Sequence, residues 1–153
     1  MKIIADNKKA FFDYEIIDRL EMGIILRGDE VKSIRQGHVS LAGAFVTVHG
    51  NELFLLNVYV KSYSHSFQKR EESDMRRSRK VLAHKHEIRK LIGAVARQGI
   101  TLIPLKLYFS DKGKVKVEVA LAKHRKSHEK KQVLKERDIE RQTRRELSGK
   151  YDY

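Results

Sequence analysis

The chain has no cysteine, no tryptophan and one proline, Pro104, among its 153 residues. Missing thiols exclude disulfides, thiolate nucleophiles and cysteine-ligated metals, and a reducing compartment fits such a composition. No apolar run approaches the ~20 residues of a spanning helix. Met1 to Asp6 lacks the apolar stretch of a signal peptide. The expectation is a cytoplasmic protein with no membrane partner. Acid is also scarce: 20 Asp and Glu face 33 Lys and Arg, leaving a net charge of +13. Such an excess acts on partners more than on the fold, and it attracts phosphate backbones.

Residues 123–153 have almost nothing to bury. Val133, Leu134, Ile139 and Leu147 are the branched aliphatics of a segment otherwise crowded with Lys, Arg, Glu and Asp. A segment of this kind does not repay the entropy of its own ordering. It is expected to be disordered alone and to become helical only against a polyanion. Glu140–Arg144 and Glu146–Lys150 are scattered i, i+4 supports for such a helix.

Residues 1–122 read as a compact β-rich domain. Phe11 to Leu20 and Met22 to Arg27 read as two strands with a turn or bulge at Leu20–Gly23. Residues 28–37 read as a short helix with Asp29 as N-cap and Gly37 as its stop. Ala44–His49 and Leu53–Val60 form a hairpin, Gly50-Asn51 supplying the positive φ angles. Residues 61–80 hold Lys69, Arg70, Arg76, Arg77, Arg79 and Lys80 without an apolar period, and read as an exposed basic loop. Ile88, Leu91, Ile92, Val95 and Ala96 place a helix over 84–98, with Gly99 just past its end. Ile100–Phe109 is strand-like, Pro104 implying an edge or a bulge. Asp111-Lys112-Gly113 turns the chain, and Val115, Val117, Val119 and Leu121 alternate as a half-buried strand. The fold class is mainly β: an OB-like closed antiparallel barrel of about six strands, with flanking helices and a basic C-terminal tail.

Asn7-Lys8-Lys9-Ala10, Gly28-x-Glu30-Val31-Lys32-Ser33-Ile34-Arg35, Arg77-x-Arg79-Lys80-x-Leu82, Leu105-Lys106-Leu107-Tyr108-Phe109, Lys114-Val115-Lys116-Val117 and Ala120-Leu121-Ala122-Lys123 occur in this order. Together they resemble the SsrA-binding protein (small protein B) family over nearly the whole chain. The resemblance implies an OB-type barrel. It also implies a bacterial protein that binds the tRNA-like part of transfer-messenger RNA and brings it to stalled ribosomes for trans-translation. Residue by residue, it assigns Asn7, Glu21 and Leu82 to the RNA surface. A carboxylate there accepts hydrogen bonds from base amino groups or ribose hydroxyls, or orients a neighbouring Lys or Arg.

The expected RNA-binding set is Asn7, Lys8, Glu21, Lys32, Arg35, Arg77, Arg79, Lys80 and Leu82. Arg77, Arg79 and Lys80 are expected on phosphates, while Lys32 and Arg35 alternatively form the wet side of their helix. The expected ribosome set, toward the decoding region and mRNA path, is Lys123, Arg125, Lys126, His128, Lys130 and Lys131. Here the tail departs from the family pattern: His124 stands for a glycine, Glu129 for an aspartate and Lys131 for an arginine. Loss of the glycine removes a flexible hinge, and a lysine lacks the bidentate fork.

Phe45, Tyr59 and Tyr108 read as packing residues, whereas Tyr14 and Tyr63 leave base stacking open. His128, with no core to join, is a stacking candidate. His84 and His86, two apart, are expected on different faces of an exposed helix start. His124 and His128, four apart, are expected to share a face. Without a third ligand no metal site follows, and no cofactor is expected. The rival classes are a small ribosomal protein and, less supported, a small ribonuclease, for which no His, Lys or carboxylate spacing stands out. A binding protein acting as a monomer, not an enzyme, is the reading.

Overall fold

Six strands close into a ring in the computed structural model, which describes residues 2–63, 72–97 and 99–151. The chain runs β1 (Lys2–Asp6), α1 (Lys8–Asp13), β2 (Tyr14–Ile24), α2 (Gly28–Arg35), β3 (Val39–Ser40), β4 (Phe45–His49), β5 (Glu52–Leu56) and β6 (Tyr59–Val60). It continues α3 (Glu72–Met75), β7 (Arg79–Leu82), α4 (Lys85–Val95), β8 (Ile100–Phe109), β9 (Val115–His124) and α5 (Ser127–Tyr151). Around the ring the order is β8-β4-β5-β7-β2-β9, closed by β8–β9 pairing, while β1 lies outside against β8. Every pairing is antiparallel. Some seams are thin: Val46↔Leu102 is the single register pair between β4 and β8. By contrast, β9 is paired along its length with both β2 and β8.

The interior follows from alternation. Val115, Val117, Val119 and Leu121 on β9 pack with Met22, Leu53, Leu55, Val81, Leu102 and Leu107. Leu102 and Leu107 stand an odd number of residues apart, so strict alternation would put them on opposite faces. A register shift between Pro104 and Lys106 resolves this by inserting an extra residue. Pro104 therefore marks a bulge rather than an edge, for β8 has partners on both sides. The reverse face of β9 is not wet at its C-terminal end. Ala120 and Ala122 pack with Ala10, Ile103 and Leu105 in a second small core under α1. α4 covers the ring through Leu91, which is 1% exposed.

Several local readings change. Residues expected as the start of a strand form α1, and the two strands expected over 11–27 are one strand, β2, with its bulge between Ile16 and Asp18. β1, β3 and β7 had no counterpart in the sequence reading. α2 is capped at Arg27, not at Asp29: the Glu30 carboxylate accepts the Arg27 backbone N–H at 2.9 Å. In the β4–β5 turn Gly50 has a φ of 65°, whereas the other residue with positive φ is Asn57 rather than Asn51. The boundary expected at 122 falls inside β9. Residues 64–71, with Lys69 and Arg70 of the expected basic loop, lie outside the described residues.

Candidate nucleic-acid interface

Glu21 and Leu82 meet in one groove. β2 and β7 are neighbours, Gly23 facing Leu82 in register. The glycine leaves room for the Lys116 ammonium and the Leu82 side chain, each close to where a Cβ would stand. The groove, about 480 Å³, is lined by Glu21, Gly23, Leu82, Ala83, His84, Glu87 and Lys116. Leu82 is 49% exposed, an apolar surface that needs covering. Opposite Glu21 on β9 stands Glu118, a like-charge pair. Each carboxylate has its own donor: Arg19 lies 3.4 Å from Glu118, and the Tyr108 hydroxyl donates to Glu21.

The basic residues expected on phosphates divide sharply. Arg79 is fully buried. Its guanidinium donates to Glu30 (2.8 Å) and to the carbonyls of Val58 (2.8 Å), Met75 (3.0 Å) and Arg77 (3.2 Å). With every direction occupied by the fold it has no access to a phosphate, which corrects its assignment. Arg77 also donates to Glu30 and is mostly covered, so its charge is largely committed. Burial pushes the Glu30 carboxyl up, but hydrogen bonds from Arg77, the Arg27 backbone and Arg79 outweigh it and hold the carboxyl below its ordinary range. Burial likewise lowers Arg79 against the attraction of Glu30. The free charge lies elsewhere. Lys32 and Arg35 are exposed on α2, over the rings of Tyr63 (5.6 Å) and Phe109 (5.4 Å). Lys80 is half-exposed and 3.1 Å from Glu52.

Asn7 lines a different groove, with Lys9, Ala10, Tyr14, Phe45 and Thr101 among its walls. Its backbone N–H donates to Leu105 (2.8 Å) and its side-chain amide to the Pro104 carbonyl (3.1 Å), so it braces the β8 bulge. Lys8 is exposed beside it. Phe45, expected to be packed, is 39% exposed at the rim of this groove, whereas Tyr108 is 5% exposed as expected. Tyr14 meets His124 edge-on at 5.1 Å. His84 and His86 do not diverge: His84 caps α4 from outside it, and the two rings stack at 5.6 Å. His124 ends β9 and His128 is exposed on α5, so no single helix carries both. Among the described residues no group of three or more His, Asp or Glu is placed to hold a metal ion, and no helix is long and apolar enough to cross a membrane.

A family model described as SmpB protein matches residues 4–149. The chain belongs to the SmpB family. Proteins named SsrA-binding protein are similar over almost their full length. That of Rhizobium johnstonii is 47% identical, covering 97% of each chain. That of Coprothermobacter proteolyticus is 44% identical over 100% of both. That of Sinorhizobium fredii is 45% identical over 95% of this chain and 91% of its own. Among solved structures, a chain of "tmRNA-SmpB: a journey to the center of the bacterial ribosome" superposes with a TM-score of 0.66 at 44% identity. It covers 80% of this chain and 84% of that one.

The SmpB-family tail leaves from the end of β9. α5 is anchored at its root. The Asp13 carbonyl accepts the Arg125 backbone N–H (2.8 Å), and its carboxylate lies 3.3 Å from Lys130. The Phe12 ring lies beneath both Lys130 and Arg137 at 5.9 Å. The Lys126 backbone N–H donates to Glu129 at 3.1 Å, which closes the first turn. Of the expected tail residues, Lys123, Lys126, His128 and Lys131 are exposed, whereas Arg125 and Lys130 are partly covered. Further along, Arg144 lies 2.6 Å from Glu140; the Lys150 side chain lies outside the described residues. Sequence reasoning missed Phe12, Asp13 and Tyr108. Tyr108 was detectable in principle, for it alternates with Lys106 and so shares the outer face with the cross-strand Glu118 row.

Proposed function

We propose that this chain binds the tRNA-like part of transfer-messenger RNA and delivers it to stalled ribosomes for trans-translation, the rescue and tagging of interrupted peptides. The observation that carries this reading is the groove where Glu21 and Leu82 meet in a chain of the SmpB family. Glu21 accepts hydrogen bonds from RNA amino or hydroxyl groups, and Leu82 covers a base or sugar face. Lys8, Lys32, Arg35 and Lys80 supply long-range attraction and phosphate contacts. Asn7 shapes the surface through the bulge that it braces. The protein works as a monomer in the bacterial cytoplasm. It is a binding and delivery protein rather than a catalyst, and it uses no cofactor.

In the same proposal Lys123, Lys126, His128 and Lys131 face ribosomal RNA near the decoding region and mRNA path, with Arg125 and Lys130 fixing where the tail begins. The test is to sequence the RNA that co-purifies with the protein. One dominant species with a tRNA-like end is expected; a spread of ribosomal fragments would favour a ribosomal protein and overturn the reading.

A further inference from the structure

Tyr108 stands out because it is polar, almost fully covered and on the outer side of the ring. In register it faces Lys116 on β9 and Ile3 on β1. Its hydroxyl nevertheless reaches Glu21, on β2, beyond β9. The ring must therefore lie diagonally across β9, between the side chains of Lys116 and Glu118. Strands lie ~4.8 Å apart, so the span is about two strand spacings, which suits a tyrosine and a glutamate reaching toward each other. Glu118 is engaged by Arg19, so Tyr108 is left as the donor that draws Glu21 away from its like-charged neighbour.

We propose that Tyr108 is a positioning residue for RNA recognition: its hydroxyl holds one Glu21 oxygen and presents the other to the nucleic acid at the Leu82 groove. The inference rests on the transfer-messenger RNA reading for its partner, but not for its geometry. The chemistry suits the task. A phenol is a neutral donor, so it fixes the carboxylate without cancelling its charge, as a lysine or arginine there would. Burial raises the Tyr108 hydroxyl above its ordinary value of 10, and Glu21 and Glu118 raise it further. It therefore remains protonated, and a donor, throughout the physiological range. Holding the acceptor in one rotamer before RNA arrives removes an ordering penalty from binding.

The test uses the full chain and four proteins: wild type, Tyr108→Phe, Glu21→Gln and the double variant. Tyr108→Phe keeps the buried ring and removes one oxygen. Affinities are measured for the tRNA-like fragment of transfer-messenger RNA and for an unrelated hairpin. Tyr108→Phe should weaken the tRNA-like target about fivefold, leave the hairpin unchanged, and add nothing in the Glu21→Gln background. Equal losses on both RNAs, or additive losses in the double variant, would overturn the proposal. A second measurement needs no RNA: three-bond couplings of the Glu21 side chain by NMR. They should report one rotamer in the wild type and averaging in Tyr108→Phe. Averaging already in the wild type, or no change in the variant, sinks the positioning role. If the couplings change as expected while the wild type fails to prefer the tRNA-like RNA, the functional reading has failed and the geometry of Tyr108 stands.

Discussion

Arg79 and Glu30 form a buried ion pair, with Nη2 2.6 Å and Nε 2.8 Å from the same carboxylate oxygen, Oε2. The other oxygen accepts the Arg27 backbone N–H and Arg77. One side chain of α2 thereby fastens the helix cap, the approach to β7 and β7 itself. Removing one partner strands a charge in a dry site. Glu30→Gln should destabilise the protein by about 3–5 kcal/mol at neutral pH, measured by urea unfolding.

The same pair gives a signed pH dependence. The folded Glu30 carboxyl titrates below its ordinary value of 4.5. Its contribution is therefore complete above that value and is lost as pH falls through the lower, folded one. The stability gap between wild type and Glu30→Gln should narrow on acidification below about pH 4.5, and not on going from pH 6 to 8. A gap that is constant down to pH 3 would mean that the pair is not what the substitution removes.

Leu91 anchors α4 to the ring and is 1% exposed. Leu91→Ala should cost about 2–5 kcal/mol, read as a lowered thermal midpoint with unchanged secondary structure below it. Leu134, 47% exposed on α5, is the contrasting site. Leu134→Ala should change stability by less than about 0.5 kcal/mol.

Salt titration of RNA binding separates free from committed charge. Lys32→Ala and Arg35→Ala should each reduce the slope of log affinity against log salt by about one, in proportion to phosphates released. Arg79→Met, whatever it does to stability, should leave the slope of the folded protein unaltered. A reduced slope in Arg79→Met would show that the buried arginine reaches RNA after all.

Ending the chain after Lys126 keeps β9 whole and preserves the bond from Arg125 to Asp13. Such a protein should bind transfer-messenger RNA with little loss yet fail to support peptide tagging on stalled ribosomes. Normal tagging by the shortened chain would reduce α5 to a solvated appendage.

Where the sequence carried a strong period, it was legible. The stripe Ile88, Leu91, Ile92 fixed α4, and the alternation in 115–121 fixed β9, because burial on one face imposes a spacing that local propensity cannot mimic. α1 was illegible for the opposite reason. Phe11, Phe12 and Tyr14 favour strands locally, and a six-residue helix gains its stability from packing Ala10 against Leu105 and Ala122, which no window contains. β7 was hidden by its charge: Arg79 reads as surface until Glu30, far away in the chain, is placed beside it. The resemblance named Glu21 and Leu82, but only the β2–β7 register shows that they share a groove. Tyr108 escaped notice because its partner lies two strands away.

α5 follows directly from β9, the strand laced to β2 on one side and to β8 on the other along its length. Traction on the tail is therefore delivered along the axis of that strand. It loads two antiparallel ladders in shear, with their hydrogen bonds strained together rather than peeled one after another. The thin β4–β8 seam lies off this line of force. The head is thus mechanically matched to its tail: a ratcheting machine gripping α5 pulls on the strongest joint in the molecule, and the RNA-facing groove keeps its shape under tension.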